Sequence, residues 1–122
     1  MAKKVLVVDD ALTMRQLIAS TLKMAGFEVV DAKDGKDALE KLQNDRFNLI
    51  ITDLNMPNMD GITFIKEVKK MPKHKFTPII MLTTESSAQK KEEGRQAGAK
   101  AWIVKPFKPD KLLEVVKKII PF

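Results

Sequence analysis

Charged or hydroxyl-bearing side chains directly follow four of the short apolar runs in this 122-residue sequence. They are Asp9, Asp10, Asp53, Thr83, Thr84 and Lys105. Three carboxylates that meet at one place repel one another, and a hard cation such as Mg²⁺ relieves that repulsion because it binds oxygen ligands. A metal, a lysine and a hydroxyl donor can together position and neutralise a phosphoryl group. We therefore predict Mg²⁺-dependent phosphoryl transfer in which the carboxylate of Asp53 is the nucleophile.

Apolar runs alternate with amphipathic segments along the chain. The runs predict strands at residues 4–8, 27–31, 49–52, 78–82 and 101–104. The amphipathic segments predict helices at residues 12–25, 36–44, 62–70, 86–97 and 109–120. This alternation is typical of an α/β fold in which helices cover both faces of a parallel sheet. Ligands bind at the carboxyl ends of the strands in such sheets, where the six polar residues are predicted to meet.

A single aspartate after a strand is more often a turn or helix-capping residue than a catalytic one. The chemical prediction therefore depends on the polar residues at four strand ends taken together. We expect residues 1–122 to form one domain with no second domain after it. The chain has no cysteine and no apolar run near the ~20 residues of a membrane span, which fits a cytoplasmic protein. The net charge is +6, but the lysines are dispersed, so we expect no binding of nucleic acid. The lack of an obvious exposed apolar stripe predicts a monomer, and we expect no membrane partner.

Five short motifs occur in the order and at the spacing of a known family. They are Val7-Val8-Asp9-Asp10, Thr52-Asp53-Leu54-Asn55-Met56-Pro57, Asp60-Gly61, Leu82-Thr83-Thr84 and Val104-Lys105-Pro106-Phe107. On these motifs the whole chain resembles bacterial response-regulator receiver domains. The resemblance implies a doubly wound (βα)5 fold of the flavodoxin-like or CheY-like type. It also implies the strand order 2-1-3-4-5, which the alternation of elements alone does not fix.

The resemblance implies a role for each residue of the acidic group. Asp53 would accept the phosphoryl group. Asp10 and Asp53 would bind Mg²⁺ through carboxylate oxygens. Asn55 would bind it through its backbone carbonyl, and Asp9 would do so chiefly through water. Lys105 would contact a phosphoryl oxygen from the far side of the pocket.

Further residues are implied to transmit or tune the signal. Thr83, followed by Thr84, would move to hydrogen-bond the phosphoryl group. The peptide bond between Lys105 and Pro106 would be cis. Trp102 occupies the place of an aromatic switch residue that is more often Tyr or Phe, and its N–H needs a partner.

Two more positions concern the loop after the acceptor and the lifetime of the phosphorylated state. In the family, Asn55 and Glu85 tune the rate of dephosphorylation. Gly61 is expected to shape the loop after Asp53 and to tolerate a positive φ. The helix at residues 86–97 has only Ala88 and Ala97 as apolar anchors, which predicts a weakly held, mobile element.

The likeness is greatest to the CheY group of chemotaxis receivers. It implies a phosphoryl donor, a histidine kinase of the CheA type, and an output partner, a flagellar motor switch protein. A phosphatase is a further expected partner. The output face would comprise the fourth helix, fifth strand and fifth helix. Catalysis would be limited to the domain's own phosphorylation and dephosphorylation, so it would not be an enzyme in the ordinary sense.

Three alternatives remain open from the sequence. The first is a phosphorelay intermediate that returns its phosphoryl group to a histidine phosphotransfer protein. The second is an aspartyl-phosphate hydrolase, although Asn55 stands where such enzymes usually carry a second acidic residue. The third is a flavin-binding module, although two carboxylates follow the first strand in place of a phosphate-binding loop.

Overall fold

A computed structural model describes residues 2–120 as a five-stranded parallel sheet with helices on both faces. The strands are β1 (Lys4–Val8), β2 (Glu28–Ala32), β3 (Leu49–Thr52), β4 (Ile79–Thr83) and β5 (Ala101–Val104). The helices are α1 (Leu12–Met24), α2 (Gly35–Asn44), α3 (Gly61–Lys69), α4 (Ala88–Ala97) and α5 (Pro109–Ile119). The strand order is β2-β1-β3-β4-β5, so the predicted fold and order are confirmed.

The sheet separates two apolar clusters because successive side chains of a strand point to opposite faces. Leu6 and Ile50 face the cluster that α2 and α3 complete. Val7 and Ile51 face the cluster that α1 and α5 complete. Every residue of β3 and β4 is buried, which explains why these strands are continuous apolar runs with little polar alternation.

Some element boundaries differ from the predicted ones by one or two residues. Three helices begin directly after a side chain that accepts a backbone N–H of the first turn: Asp34 before α2, Asp60 before α3 and Ser87 before α4. Strand β2 is shifted by one residue, to Glu28–Ala32. Strand β4 includes Thr83, which the sequence analysis placed after the strand. The first, third and fifth strands have the predicted bounds.

All five strands run in the same direction, so their carboxyl ends lie at one edge of the sheet. Val8 and Thr52, the last residues of β1 and β3, pair directly with each other. Thr83 at the end of β4 pairs with Val104 at the end of β5. The residues that follow these strands are therefore neighbours in space. Among residues 2–120, no helix combines the length and apolar character that crossing a membrane requires.

Candidate functional site

Asp9 is held rigidly where β1 gives way to α1. Its backbone N–H donates to the carbonyl of Ala32 at 3.2 Å, which extends the pairing with β2. One carboxylate oxygen, Oδ1, accepts the backbone N–H of Ala11 at 2.9 Å. The residue is only 1% exposed. A buried charge of this kind needs bonding partners, and these contacts supply part of them.

Asp53 occupies the equivalent place after β3. Its backbone N–H donates to the carbonyl of Val8 at 3.0 Å, and its Oδ1 accepts the N–H of Leu54 at 2.7 Å. These bonds fix the backbone and the carboxylate orientation together. The side chain is largely buried, yet it lies at the open edge of the sheet.

Asp10 completes an acidic pocket, by which we mean Asp9, Asp10 and Asp53. One carboxylate oxygen from each of the three lies within 4.8 Å of the other two. Asp10 is exposed, while Asp9 and Asp53 are buried. A set of hard oxygen donors this close together fits Mg²⁺, which favours carboxylate and water ligands. The predicted convergence of the three carboxylates is thus present in the structure.

Lys105 lies directly against this pocket. Its Nζ is 2.7 Å from Oδ2 of Asp9 and 3.0 Å from Oδ2 of Asp53. Its position relative to a bound phosphoryl group stays a prediction. An ammonium with only 10% of its side chain exposed takes the nearest anionic partners, and these are the two buried carboxylates. The bond between Lys105 and Pro106 is cis, as expected.

The pocket keeps Lys105 charged. Burial lowers the pKa of Lys105, but hydrogen bonds from its ammonium to Asp9 and Asp53 outweigh burial and raise the pKa above 10.5. Because the folded-state pKa exceeds the unfolded value, the stabilisation is complete below pH 10.5. It is lost as the pH rises through the folded-state pKa. At neutral pH the pocket therefore contains a full positive charge.

The end of β4 connects the pocket to the chain beyond it. Thr83 is fully buried, and its carbonyl accepts the backbone N–H of Lys105 at 2.8 Å. Its hydroxyl accepts the N–H of Glu85 at 3.4 Å. Thr84 is exposed and Glu85 is partly exposed. A movement of Thr83 would therefore affect both Lys105 and Glu85.

The loop after Asp53 is shaped differently from the expectation. Gly61 does not have the positive φ that was expected. In this loop the residue with a positive φ is Asn58, at 70°. Gly61 is required for space, because a Cβ there would collide with the carbonyl oxygen of Asp53 and lie 2.9 Å from Cα of Leu54. Its N–H donates to the carbonyl of Leu54 at 2.7 Å. The start of α3 is therefore pressed against the backbone of Asp53 and Leu54.

Trp102 lies outside the acidic pocket and is joined to it through Glu85. Its indole N–H donates to the carbonyl of Glu85 at 2.8 Å. The ring packs on Gly94 of α4, where an added Cβ would lie 2.7 Å from Cζ3 of the indole. The partner required by the indole N–H is thus supplied by the segment between β4 and α4.

Two supporting residues were not identified from the sequence. Arg15 donates through Nη1 to the carbonyl of Asp9 at 2.8 Å and through Nε to Asp31 at 2.7 Å. Gly94 has no side chain, and this leaves room for the indole of Trp102 to pack on α4. Neither could be found by spacing, because each contact joins separate elements. Asn55 is exposed in the loop after Asp53, and the role of its carbonyl stays a prediction.

Comparison with known proteins gives consistent similarities. The family model for the response regulator receiver domain matches residues 5–117. The chain is 42% identical over 119 residues to chemotaxis protein CheY1 of Helicobacter pylori, covering 96% of each chain. It superimposes on chemotaxis protein CheY4 of Vibrio cholerae with a TM-score of 0.95 and 49% identity, covering 98% of this chain and 100% of that one.

A more distant structure bears on the metal. The receiver domain of a sensor histidine kinase from Pseudomonas aeruginosa is 26% identical, with a TM-score of 0.91 and complete coverage of both chains. That protein is described with a magnesium ion coordinated in its active site cleft.

Proposed function

Because this chain belongs to the response regulator receiver domain family, we propose that it is a two-component switch phosphorylated on Asp53. The observation that carries the proposal is the ammonium of Lys105, 3.0 Å from the Asp53 carboxylate inside a cluster of three acids. A cation at this position can stabilise the negative charge that a phosphoryl group brings to Asp53. This chemistry needs positioning and charge neutralisation more than covalent machinery.

Asp53 acts as the nucleophile in this proposal. One of its carboxylate oxygens bonds to phosphorus as the P–N bond of a phosphohistidine breaks. The bonding electron pair stays with the imidazole of the donor kinase. Leu54 holds the carboxylate in position through its N–H, and Lys105 stabilises the phosphoryl oxygens. Thr83 offers a hydroxyl donor from the neighbouring strand end.

Mg²⁺ is the cofactor that the donor set fits. Asp10 and Asp53 would hold it with the carbonyl of Asn55, and Asp9 would contribute chiefly through water. Bound there, the metal would neutralise the carboxylates and the incoming phosphoryl oxygens. The magnesium described for the Pseudomonas aeruginosa receiver supports this assignment.

The output is proposed to leave through α4, β5 and α5. A shift of Thr83 towards a phosphoryl group would pull on Glu85, whose carbonyl holds Trp102. The indole would then change its packing on α4. Glu85 and Asn55 are proposed to set how long the phosphorylated state lasts, and Pro106 to fix the backbone beside Lys105.

The chemotaxis relatives favour a particular pathway. A histidine kinase would supply the phosphoryl group, and a flagellar motor switch protein would be the output partner. The domain catalyses only its own phosphorylation and dephosphorylation in this proposal. A phosphorelay intermediate would use the same pocket, and only its partner would differ.

Intact mass measurement tests the acceptor chemistry. The protein is incubated with acetyl phosphate and Mg²⁺, beside an Asp53→Asn variant and a sample with EDTA. We expect a gain of one phosphoryl group in the wild type and none in either control. Glu40→Gln, an exposed change away from the pocket, should gain the group as the wild type does.

Two results would contradict the proposal. A phosphoryl gain that persists in Asp53→Asn would place the nucleophile elsewhere. If neither acetyl phosphate nor a phosphorylated chemotaxis kinase adds a phosphoryl group in the presence of Mg²⁺, the domain is not a phosphoryl acceptor.

A further inference from the structure

An exposed aromatic side chain stands among cations on the loop between α3 and β4. Phe76 is 88% exposed. The Nζ of Lys75 lies 5.6 Å from the centre of its ring, within cation–π distance. We call Arg46, Pro72, Lys73, Lys75 and Phe76 the basic loop face. A large aromatic side chain left in water beside several cations is a feature that receiver chemistry does not require.

The loop that presents Phe76 is anchored from beneath. His74 is 1% exposed, and its Nε2 lies 2.9 Å from the carbonyl of Leu42 in α2. The backbone N–H of His74 donates to Met71, and that of Thr77 donates to His74, both at 3.0 Å. The loop is thus fixed while its aromatic side chain points outward. A surface already ordered loses little conformational entropy when it binds a partner.

The charge on this face is only partly compensated, through Lys73, whose Nζ donates to the carbonyl of Gln43 at 3.2 Å. Residues 69–78 include four lysines and no aspartate or glutamate. Within residues 2–120, the ion pairs involve none of Arg46, Lys73 and Lys75. The nearby carboxylate of Asp45 forms an ion pair with Lys4, with Nζ 2.5 Å from Oδ2. The face therefore has positive charge available for an anionic partner.

A groove runs beside the exposed ring. It has a volume of about 400 Å³, and Phe47, Pro72, Phe76 and Pro78 supply its apolar part. Arg46 and Lys73 also line it. A groove whose lining combines apolar side chains with cations suits an apolar side chain whose neighbours in sequence are acidic.

We propose that the basic loop face binds a short acidic protein segment, which inserts one apolar side chain beside Phe76. A single exposed aromatic is too little for stacking successive bases of a nucleic acid. A groove beside the ring gives a protruding side chain a place to pack, which favours a polypeptide over a flat lipid surface. The observations therefore favour an acidic segment of a partner protein.

This face is separate from the phosphorylation site. It adjoins Pro78 at the amino end of β4, whereas Thr83 ends that strand near Asp53. The five residue-to-residue steps from Pro78 to Thr83 span roughly 16 Å at ~3.3 Å per residue. Binding at the basic loop face is therefore expected to be independent of the state of Asp53.

Fluorescence anisotropy with a short labelled peptide of alternating glutamate and leucine tests the proposal. We expect binding to the full chain, weakened about tenfold by the double change Lys75→Glu and Phe76→Ser. The matched control is Lys23→Glu with Met24→Ser, another exposed lysine beside an exposed apolar residue, since Met24 is 90% exposed. The control should bind as the wild type does. Acetyl phosphate with Mg²⁺ should leave the affinity unchanged.

The experiment has clear contrary outcomes. Failure of the peptide to bind, or an equal loss in the Lys23 and Met24 control, would overturn the proposal. Binding to phosphatidylglycerol vesicles instead of the peptide, lost in the same double variant, would assign the face to a membrane surface and overturn it too. Lys73→Glu, which leaves the ring of Phe76 in place, should also lower the affinity for the peptide. None of these results depends on whether Asp53 is phosphorylated.

Discussion

Among the three acids of the pocket, Asp10 has the least compensation for its charge. Asp9 and Asp53 each share the ammonium of Lys105 and accept a backbone N–H. Asp10 is exposed, and within residues 2–120 no ion pair involves it. Two carboxylates about 5 Å apart repel by about 1–3 kcal/mol, at effective dielectric constants between those of water and a protein surface. Asp10 is therefore the carboxylate of the pocket that a bound cation would be expected to stabilise most.

We predict that Asp10→Asn raises the free energy of unfolding in EDTA by about 1 kcal/mol, because it removes this repulsion. The variant should also lose the stabilisation that Mg²⁺ gives the wild type by binding only the folded state. Urea denaturation with and without Mg²⁺ measures both effects. Glu40→Gln, exposed on α2, should retain the wild-type response to Mg²⁺. A full Mg²⁺ response in Asp10→Asn would exclude its carboxylate as a ligand.

Helix α4 has the fewest buried residues of the five helices described. Only Gly94 is buried in it; Ala88, expected as an apolar anchor, is exposed, and Ala97 is half-buried. Ser87 caps its first turn by accepting the N–H of Lys90 at 3.2 Å. Ala88 points outward because the contact of α4 with β5 is made through Gly94, against the indole of Trp102. The position of α4 therefore depends on where that indole lies.

We predict that Gly94→Ala displaces the indole of Trp102. The new Cβ would lie 2.7 Å from Cζ3, which forces the ring or α4 to move and weakens the indole bond to Glu85. The better helix propensity of alanine, worth about 1 kcal/mol, offsets part of the cost in stability. The chain has one tryptophan and no tyrosine, so its fluorescence reports this ring alone.

The emission of Gly94→Ala should shift to longer wavelength as the indole meets water. Gln89→Ala, at an exposed position of α4, should leave the emission unchanged. Unchanged emission in Gly94→Ala would mean that α4 moves away from a stationary indole.

For the whole molecule, the central strands of the sheet are more deeply buried than the edge strands. All residues of β3 and β4 are buried. The edge strand β2 has one buried residue, Ala32, and the other edge strand, β5, also has one, Ile103. The proposed acceptor, Asp53, follows a central strand, and the proposed switch residue, Trp102, lies on the edge strand β5. A rigid acceptor and an adaptable output face suit a domain that must report a local chemical change.

Amide hydrogen exchange of the whole chain checks this division. We predict that amides of β3 and β4 exchange at the rate of global unfolding, because they open only when the sheet does. Amides of α4 should exchange at least about tenfold faster, a difference of about 1.4 kcal/mol in opening free energy. Helix α1, with Ile18 and Leu22 fully buried, serves as the helical control and should resemble the centre. Protection in α4 equal to that in β4 would contradict a mobile output face.

The sequence by itself determined the elements, their order in the chain and the polar residues at the strand ends. These features follow from local patterns, since continuous Val, Ile and Leu runs and helical spacing depend only on near neighbours. The strand order came from the resemblance to receiver domains and is confirmed by the structure. The roles of Asp53, Thr83 and Asn55 remain predictions. The convergence of Asp53 with Asp9 and Asp10 is observed in the structure.

Only the tertiary structure decided which groups touch. Lys105 lies against Asp9, 96 positions away in the chain, and the indole of Trp102 reaches Glu85, 17 positions away. Gly61 proved to be needed for space, and Phe76 proved to be exposed above a buried His74. Such contacts depend on how separate elements pack, and side-chain direction across elements is not encoded in local spacing. The convergence of the acids could therefore be predicted from residue types at the strand ends, whereas the contacts of the site required the assembled sheet and helices.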